Sequence, residues 1–398
     1  MRIFVIEGGA AVAATRSLGR RGHEVVVGRG PNDFPVAGLS RYCIGIVTLP
    51  SAVSEPERYA EAVLRELRRN DCDAVLPTTD PALVALAPVR SRIEESAAYC
   101  AAPPGALECA WDKWGLIAAG RNHGLEAPRA ALVGGAGDWA EAIGRVGLPC
   151  VLRGRRSYVK GSRGLQTAKT GVHFRRDAAD RDAHARIERA EEFVVSAFTE
   201  GRGRGVYLFV AGGRARLWFG HDRIRETDPR GGSACAARSF PPSADLVARC
   251  TALLTGWGFE GAAMIEFRRD LGTGAEWLVE VNPRLWGSIA LAVHAGIDFP
   301  HDQVAYFLRG ISPSMPQGEL PAIGARQLSA ELVHVAHAWI GPPAGWERGY
   351  PTFPSAVRDF MSGFKEGLHY YHQSFDDPLP GVVEPLAQVF AGLRRLRS

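Results

Sequence analysis

Residues 262–288, AAMIEFRRDLGTGAEWLVEVNPRLWGS, constrain the fold more than any other stretch of the chain. Two β-like runs flank the turn signal Gly272-Thr273-Gly274, so the segment reads as a hairpin. With the turn centred on Thr273, Glu266 stands directly opposite Glu280 and Met264 opposite Asn282. Alternation then sends Ile265, Phe267, Trp277, Val279 and Val281 to the other face, which is apolar and suited to a core. Two carboxylates and an amide oxygen share the first face. Like charges opposed across a β-ladder are unfavourable, so a proton or a cation must neutralise them. Two carboxylates and an Asn carbonyl are hard oxygen donors that suit Mg²⁺ or Mn²⁺. A polar face that is simply hydrated is the other reading. Arg284, just after Pro283, favours a phosphate site. A fixed guanidinium beside a metal is one way to stabilise charge on a transferring phosphoryl group.

The hairpin belongs to a chain of 398 residues, long enough for two to four domains at roughly 100–200 residues each. Apolar residues at 46% and charged residues at 23% exclude a disordered or fibrous chain. No apolar run reaches the roughly 18 residues of a membrane span, and the start lacks the pattern of a signal peptide. Seven scattered cysteines without a CxxC pair argue against a disulfide framework or zinc site, and make a cytoplasmic location the expectation. A net charge of +4 with no basic block argues against a nucleic-acid partner. Only four of the 47 basic residues are lysines, at 113, 160, 169 and 365, which makes each of them worth inspection.

Residues 1–105 alternate short apolar runs (3–6, 24–27, 73–76) with an amphipathic stretch at 59–69, the pattern of a parallel doubly wound sheet. The first loop, Glu7-Gly8-Gly9, lacks GxGxxG spacing and reads as a tight βα turn rather than a nicotinamide or flavin site. A helix is expected over 106–123, extended segments at 130–133 and 149–153, and then a loop of small and basic residues to Gly164. From 193 to 282 the pattern is β; residues 319–398 carry amphipathic pieces without recognisable chemistry.

Glu266…Glu280-Val-Asn282-Pro-Arg284 resembles the metal-binding end of the ATP-grasp superfamily, and most of all its carbamoyl-phosphate-synthetase-like carboxylate–amine ligases. SRYC at 40–43, LPTTD at 76–80, WDK at 111–113, GHDRIRE at 220–226 and NPRLWGS at 282–288 are similar to strings of that family, in the same order. The resemblance implies a mixed α/β and α+β architecture in four parts. These are a Rossmann-like pre-ATP-grasp domain (1–105), an ATP-grasp N-terminal subdomain (106–190), a C-terminal subdomain (191–318) and an extension of unassigned role (319–398).

It also implies roles, residue by residue. Glu266, Glu280 and Asn282 hold Mg²⁺ or Mn²⁺. Arg284 and Arg225 are catalytic, at the γ-phosphate and acyl phosphate, with Arg223 near the substrate. Lys113 and Arg153 reach ATP phosphates, and Lys160, Gly161, Ser162 and Gly164 form a glycine-rich flap, for which a mobile solvated loop is the alternative. Ala197, Phe198 and Thr199 form the adenine hinge, Glu200 lies near the ribose, and Gly287 and Ser288 lie near the acceptor. His221 suits a supporting role and Trp286 the core.

The sequence departs from the family's pattern in two places. Arg153 stands where lysine is usual, and the hinge Ser196-Ala197 replaces Gln-Glu. Arginine is longer, planar and forked, so that exchange is not neutral. The activity implied is an ATP-dependent ligase that activates a small-molecule carboxylate as an acyl phosphate and couples it to an amine. A kinase acting on a hydroxyl and a degenerate nucleotide-binding protein are the alternatives. Homodimerisation is an expectation from the family alone, and no membrane partner is expected.

Overall fold

Strand propensity and hydrophobic alternation are realised in three main sheets. The computed structural model describes all residues except 162–163, 168–169, 190, 347–348 and 396–398, and only the main chain of 167 and 389–395. Strands β1 (Arg2–Ile6), β2 (Glu24–Arg29), β3 (Cys43–Thr48), β4 (Ala74–Leu76) and β5 (Ala98–Tyr99) form a parallel sheet of order β3-β2-β1-β4-β5. The order reverses direction on either side of β1. The loops after β1 and β4, at Glu7-Gly8-Gly9 and Thr78-Thr79-Asp80, therefore flank the crevice where such sheets take ligands. Thr79 caps the following helix by accepting from the Ala82 amide.

The single helix expected over 106–123 is two helices, Pro104–Trp111 and Lys113–Asn122. Asp112 breaks them with an extended backbone (φ −82°, ψ 94°) and caps the second by accepting from the Trp114 and Gly115 amides. The break sets Lys113 at the first helical position.

An antiparallel sheet follows, built from β6 (Ala130–Val133), β7 (Cys150–Gly154), β10 (Gly171–His173) and β11 (Phe193–Ala197) in the order β10-β7-β11-β6. Between β7 and β10 lies a separate hairpin of β8 (Tyr158–Gly161) and β9 (Gly164–Thr167).

The largest sheet contains β12 (Arg202–Ala211), β13 (Arg214–Glu226), β14 (Ala234–Phe240), β15 (Gly261–Arg269) and β16 (Glu276–Asn282). It continues with β17 (Gly324–Arg326) and β18 (His369–Tyr370), in the order β16-β15-β12-β13-β14-β17-β18. The segment after 318 is thus woven into the same sheet. Among the described residues no helix is long and apolar enough to cross a membrane, and all seven cysteines are free.

The β15–β16 register matches the hairpin expectation at Met264–Asn282, Ile265–Val281 and Glu266–Glu280, then shifts by one residue at a bulge. Phe267 pairs with Leu278, so Leu278 is buried, whereas Trp277 and Val279 are only half-buried. The expected inward places of those two residues are therefore corrected. Leu278 packs under the second helix at Gly120, where a Cβ would come within 2.4 Å of its side chain.

Candidate active site

Glu266 and Glu280, paired across β15 and β16, face the β13 residue Arg223 and the loop residue Arg284. Arg223 Nη2 lies 2.7 Å from Glu266 Oε2, and Arg223 Nη1 donates to Glu226 Oε1 at 3.1 Å and to the Gly232 carbonyl at 2.6 Å. Reaching Glu266 takes Arg223 across β12 at Gly203, where a Cβ would come within 2.4 Å of the arginine Cδ. Gly203 is therefore the residue that lets a β13 side chain reach β15. Burial, and then the Glu280 charge, raise the Glu266 carboxyl above its ordinary range, against the pull of Arg223. Burial alone would lower the Arg223 guanidinium, but Glu266 and Glu226 outweigh it and hold the cation firmly charged.

Asn282 Nδ2 donates to Glu280 Oε1 at 3.1 Å and to Glu266 Oε1 at 3.4 Å, while its Oδ1 accepts from Arg284 Nη2 at 3.3 Å. Arg284 Nε is also fixed by Asp80 Oδ2 at 2.8 Å. Asp80, which in turn accepts from Trp111 Nε1 at 3.2 Å, was not singled out by sequence reasoning. It ends the LPTTD string, which was the available signal.

Opposite the carboxylates lie Lys113 and Arg153. Lys113 Nζ donates to Ser157 Oγ at 2.7 Å, and Arg153 Nη1 to the Val279 carbonyl at 3.0 Å. Both side chains are buried, neither has a carboxylate partner among the described residues, and Arg153 Nε has no hydrogen-bond partner. Burial lowers both from their ordinary values, with Glu280 opposing the shift in each. These two cations, Asp80, Glu280, Asn282 and Arg284 line a cavity of about 240 Å³. It adjoins a larger one of about 580 Å³, where Arg153, Arg223, Glu266, Glu280, Asn282 and Arg284 meet Ala197, Phe198, Thr199, Gly287 and Ser288.

Other expected residues lie elsewhere. Arg225 bonds Glu331 through Nε at 2.7 Å and is not among the residues that line either cavity. Lys160 Nζ sits 2.7 Å from the exposed Glu57, not at the cavity. Gly161 and Gly164 turn the β8–β9 hairpin, which rests on the turn at 52–54 through a Leu165 amide bond of 2.6 Å to the Val53 carbonyl. Gly164 has φ +99° and leaves no space for a Cβ against that carbonyl. Ser162 lies outside the described residues. Glu200 is exposed and does not line either cavity.

Phe198 packs on Phe174 and Trp346, at centroid distances of 5.4 and 6.1 Å. His221 is buried, with Nδ1 shared between the Tyr207 hydroxyl and Ser288 Oγ at 3.1 Å, and burial keeps its ring neutral. Trp286 is buried and stacks on Tyr207 at 3.9 Å.

Glu7, in the loop after β1, is a further perturbed group, pushed up by burial to about 7. Asp33 adds to the shift, whereas the Ala37 and Gly38 amides and Arg29 oppose it. Its folded value exceeds the ordinary 4.5, so between pH 4.5 and 7 the folded chain keeps a proton that the unfolded chain has lost. The resulting stability is complete below pH 4.5 and is lost as pH rises through 7. Glu7→Gln stays neutral throughout. Urea unfolding is expected to show it matching the wild type at low pH and exceeding it in alkaline solution by roughly 3 kcal/mol.

Among the described residues no cluster of three or more His, Cys, Asp or Glu side chains could hold a metal ion. Two carboxylates and one amide suit a hard cation only when other oxygens complete its shell, as in a metal–nucleotide complex. The donor set fits Mg²⁺ in that form once the Asn282 amide turns its oxygen to the carboxylates.

No protein-family model matches the sequence, and no curated protein matches it. The fold is similar to L-amino acid ligase from Bacillus licheniformis (TM-score 0.63, 16% identity, 81% of this chain and 78% of that one). It is also similar to the β,γ-ATP complex of biotin carboxylase from Campylobacter jejuni (TM-score 0.59, 16% identity, 79% and 72%). A third likeness is to the ADP complex of N5-carboxyaminoimidazole ribonucleotide synthetase (TM-score 0.62, 11% identity, 92% and 97%). At such identities the likenesses establish the fold and leave the chemistry to the site.

Proposed function

We propose that this chain, whose fold is the ATP-grasp fold, is an ATP-dependent carboxylate–amine ligase. The observation that carries the reading is the pairing of two buried cations without a carboxylate partner among the described residues, Lys113 and Arg153, with Glu266, Glu280 and Asn282 across two adjoining cavities. Buried charge without a counter-ion is costly, and a bound polyphosphate supplies the anion. Lys113 and Arg153 would bind its phosphates. Glu266, Glu280 and Asn282 would hold Mg²⁺, which supplies charge neutralisation between the phosphates. Turning the Asn282 amide for this role takes its oxygen from Arg284 Nη2, leaving that donor for a phosphoryl oxygen.

In the first step a carboxylate oxygen of the substrate attacks the γ-phosphorus, the bond to the bridging oxygen breaks, and ADP leaves. In the second, the amine nitrogen attacks the acyl carbon, the C–O bond to phosphate breaks, and the amine gives up a proton. The residues' task in both is positioning and charge stabilisation. Arg223 and Arg284, at the Glu266 end of the larger cavity, are the groups placed to orient an anionic carboxylate. The Ser196-Ala197 hinge leaves adenine recognition to main-chain groups and to the wall at Phe198 and Thr199.

Calorimetric titration with a non-hydrolysable ATP analogue tests the reading, with and without Mg²⁺ and with NAD as control. Mg²⁺-dependent micromolar binding is expected, about −8 kcal/mol. Arg153→Ala is expected to weaken it about 10–100-fold through loss of a charged hydrogen bond. Absence of nucleotide binding in the wild type sinks the proposal. Hydroxylamine added during turnover separates ligase from kinase, because it captures an acyl phosphate as a hydroxamate and leaves a phosphoester intact.

A further inference from the structure

The crevice beside the nucleotide cavity carries the opposite charge. A cavity of about 410 Å³ lies between the Glu7-Gly8-Gly9 loop and the last part of the chain. Its lining holds Glu7, Asp33 and Glu384 with the amides of Asn32, Gln327 and Gln388, and no Lys or Arg among the described residues. It shares Gly9, Gln327, His372 and Gln388 with the 580 Å³ cavity. At that junction a Cβ on Gly9 would come within 3.4 Å of the Gly287 Cα. The two spaces therefore meet beside Gly287 and Ser288.

Several polar atoms here make no hydrogen bond. Glu7 Oε1 accepts from the Ala37 amide at 3.0 Å, but the buried Oε2 has no hydrogen bond. Glu384 is only 3% exposed; Oε1 takes Ser329 Oγ at 2.5 Å and Gln327 Nε2 at 2.7 Å, while Oε2 makes no hydrogen bond. His372 is 8% exposed, and its Nδ1, which makes no hydrogen bond, is paired with that oxygen at 3.8 Å and, against burial, helps hold the Glu384 carboxyl below its ordinary range. Carboxylate oxygens without a hydrogen bond call for a ligand that brings donors and positive charge, and an ammonium brings three N–H groups.

We infer that this compartment binds the amine substrate of the ligase as its ammonium cation, held by the carboxylate oxygens of Glu7 and Glu384 that make no hydrogen bond. The inference rests on the ligase reading and assigns the class of one of its two substrates: a small primary amine, cationic in solution. Charge sorts the pair, with the carboxylate drawn to Arg223 and Arg284 and the ammonium to the acidic crevice. The volume suits a small molecule. Glu7, whose carboxyl titrates near neutrality, is also suited to take the proton that the amine must lose before it attacks.

The test uses the full chain and nuclear magnetic resonance titration with defined probes. These are ethanolamine, glycinamide and putrescine as primary amines, acetamide as a neutral control, and acetate, succinate and inorganic phosphate as anions. At least one amine is expected to bind the wild type more tightly than acetamide, and to lose affinity at least tenfold in both Glu7→Gln and Glu384→Gln. Circular dichroism checks the fold, and if Glu384→Gln loses it, the isosteric Glu7→Gln and the exposed Asp33→Asn carry the test. No preference for amines over acetamide, or amine affinity unchanged in the folded variants, overturns the assignment. Titration of Mg²⁺·ATP in parallel keeps the two ideas apart. Amine selectivity without nucleotide binding leaves this site standing and removes the ligase; nucleotide binding without amine selectivity does the reverse.

Discussion

In Glu280→Gln protein, Mg²⁺-dependent ADP release is expected to fall about 10³-fold while the fold stays intact. Glu280 faces Glu266 across the ladder, lines both adjoining cavities, and accepts from Asn282. Glutamine keeps its size and an oxygen for that bond, so the hairpin has no reason to rearrange. It relieves the repulsion between two opposed negative charges but withdraws the charge that offsets burial of Lys113 and Arg153, so the two effects oppose each other and urea unfolding should show stability within about 1 kcal/mol of the wild type. The proposed cation loses a charged ligand, and Lys113 and Arg153 lose the nearest charge opposing their desolvation. ADP formation measured over a mixed pool of carboxylates and amines reads the chemistry, and titration with Mg²⁺·ATP reads the metal. A folded Glu280→Gln variant with wild-type turnover would refute the assignment of this pair to the metal.

Glu331→Gln should destabilise the chain by about 3–5 kcal/mol, the largest effect expected away from the cavities. Glu331 is 1% exposed and sits between two arginines: Arg225 bonds one of its oxygens and Arg326, fully buried, bonds the other. Arg326 also donates to the Phe360 carbonyl at 2.9 Å and lies over the rings of Phe360 and Phe364 at 4.8 and 4.5 Å. Removing the carboxylate leaves two guanidiniums in a dry site with nothing to offset their desolvation. Because Glu331 follows β17 and Arg225 lies one residue before the end of β13, the pair ties the end of the chain to the central sheet. Replacing all three by apolar residues of similar volume should recover most of the loss, which separates the cost of unpaired charge from that of lost packing. Chemical denaturation of the single and triple variants measures both. An unchanged midpoint for Glu331→Gln would show that water reaches the pair.

Much of this was legible in local pattern. Alternation about the turn at Gly272-Thr273-Gly274 places Glu266 opposite Glu280 and Asn282 opposite Met264; those pairs are met on the far side of the bulge, while the pairs next to the turn run one residue off that register. The parallel first sheet was similarly readable from its apolar runs. The register failed beyond Glu266, where the bulge turns Leu278 inward in place of Trp277 and Val279. The helix that covers that face, with Gly120 at the contact, comes from more than 150 positions earlier in the chain. The split at Asp112 was missed because residues 106–123 are compatible with one helix; the Asp112–Arg155 ion pair of 2.6 Å, which accompanies the break, is non-local.

The sequence by itself determined which chemical groups this protein owns and which of them share a hairpin face: two carboxylates, an amide and an arginine within 19 residues. That is a matter of spacing and pleat, fixed over a few residues. Only the tertiary structure decided how those groups are partnered. Arg225 turns to Glu331, 106 positions away, while Arg223 crosses Gly203 to Glu266 and Asp80 holds Arg284 from 204 positions before it. Glu7 and Glu384, at opposite ends of the chain, face one cavity. A charged side chain settles where long-range packing offers a counter-charge in place of lost water, and local pattern carries no record of that choice.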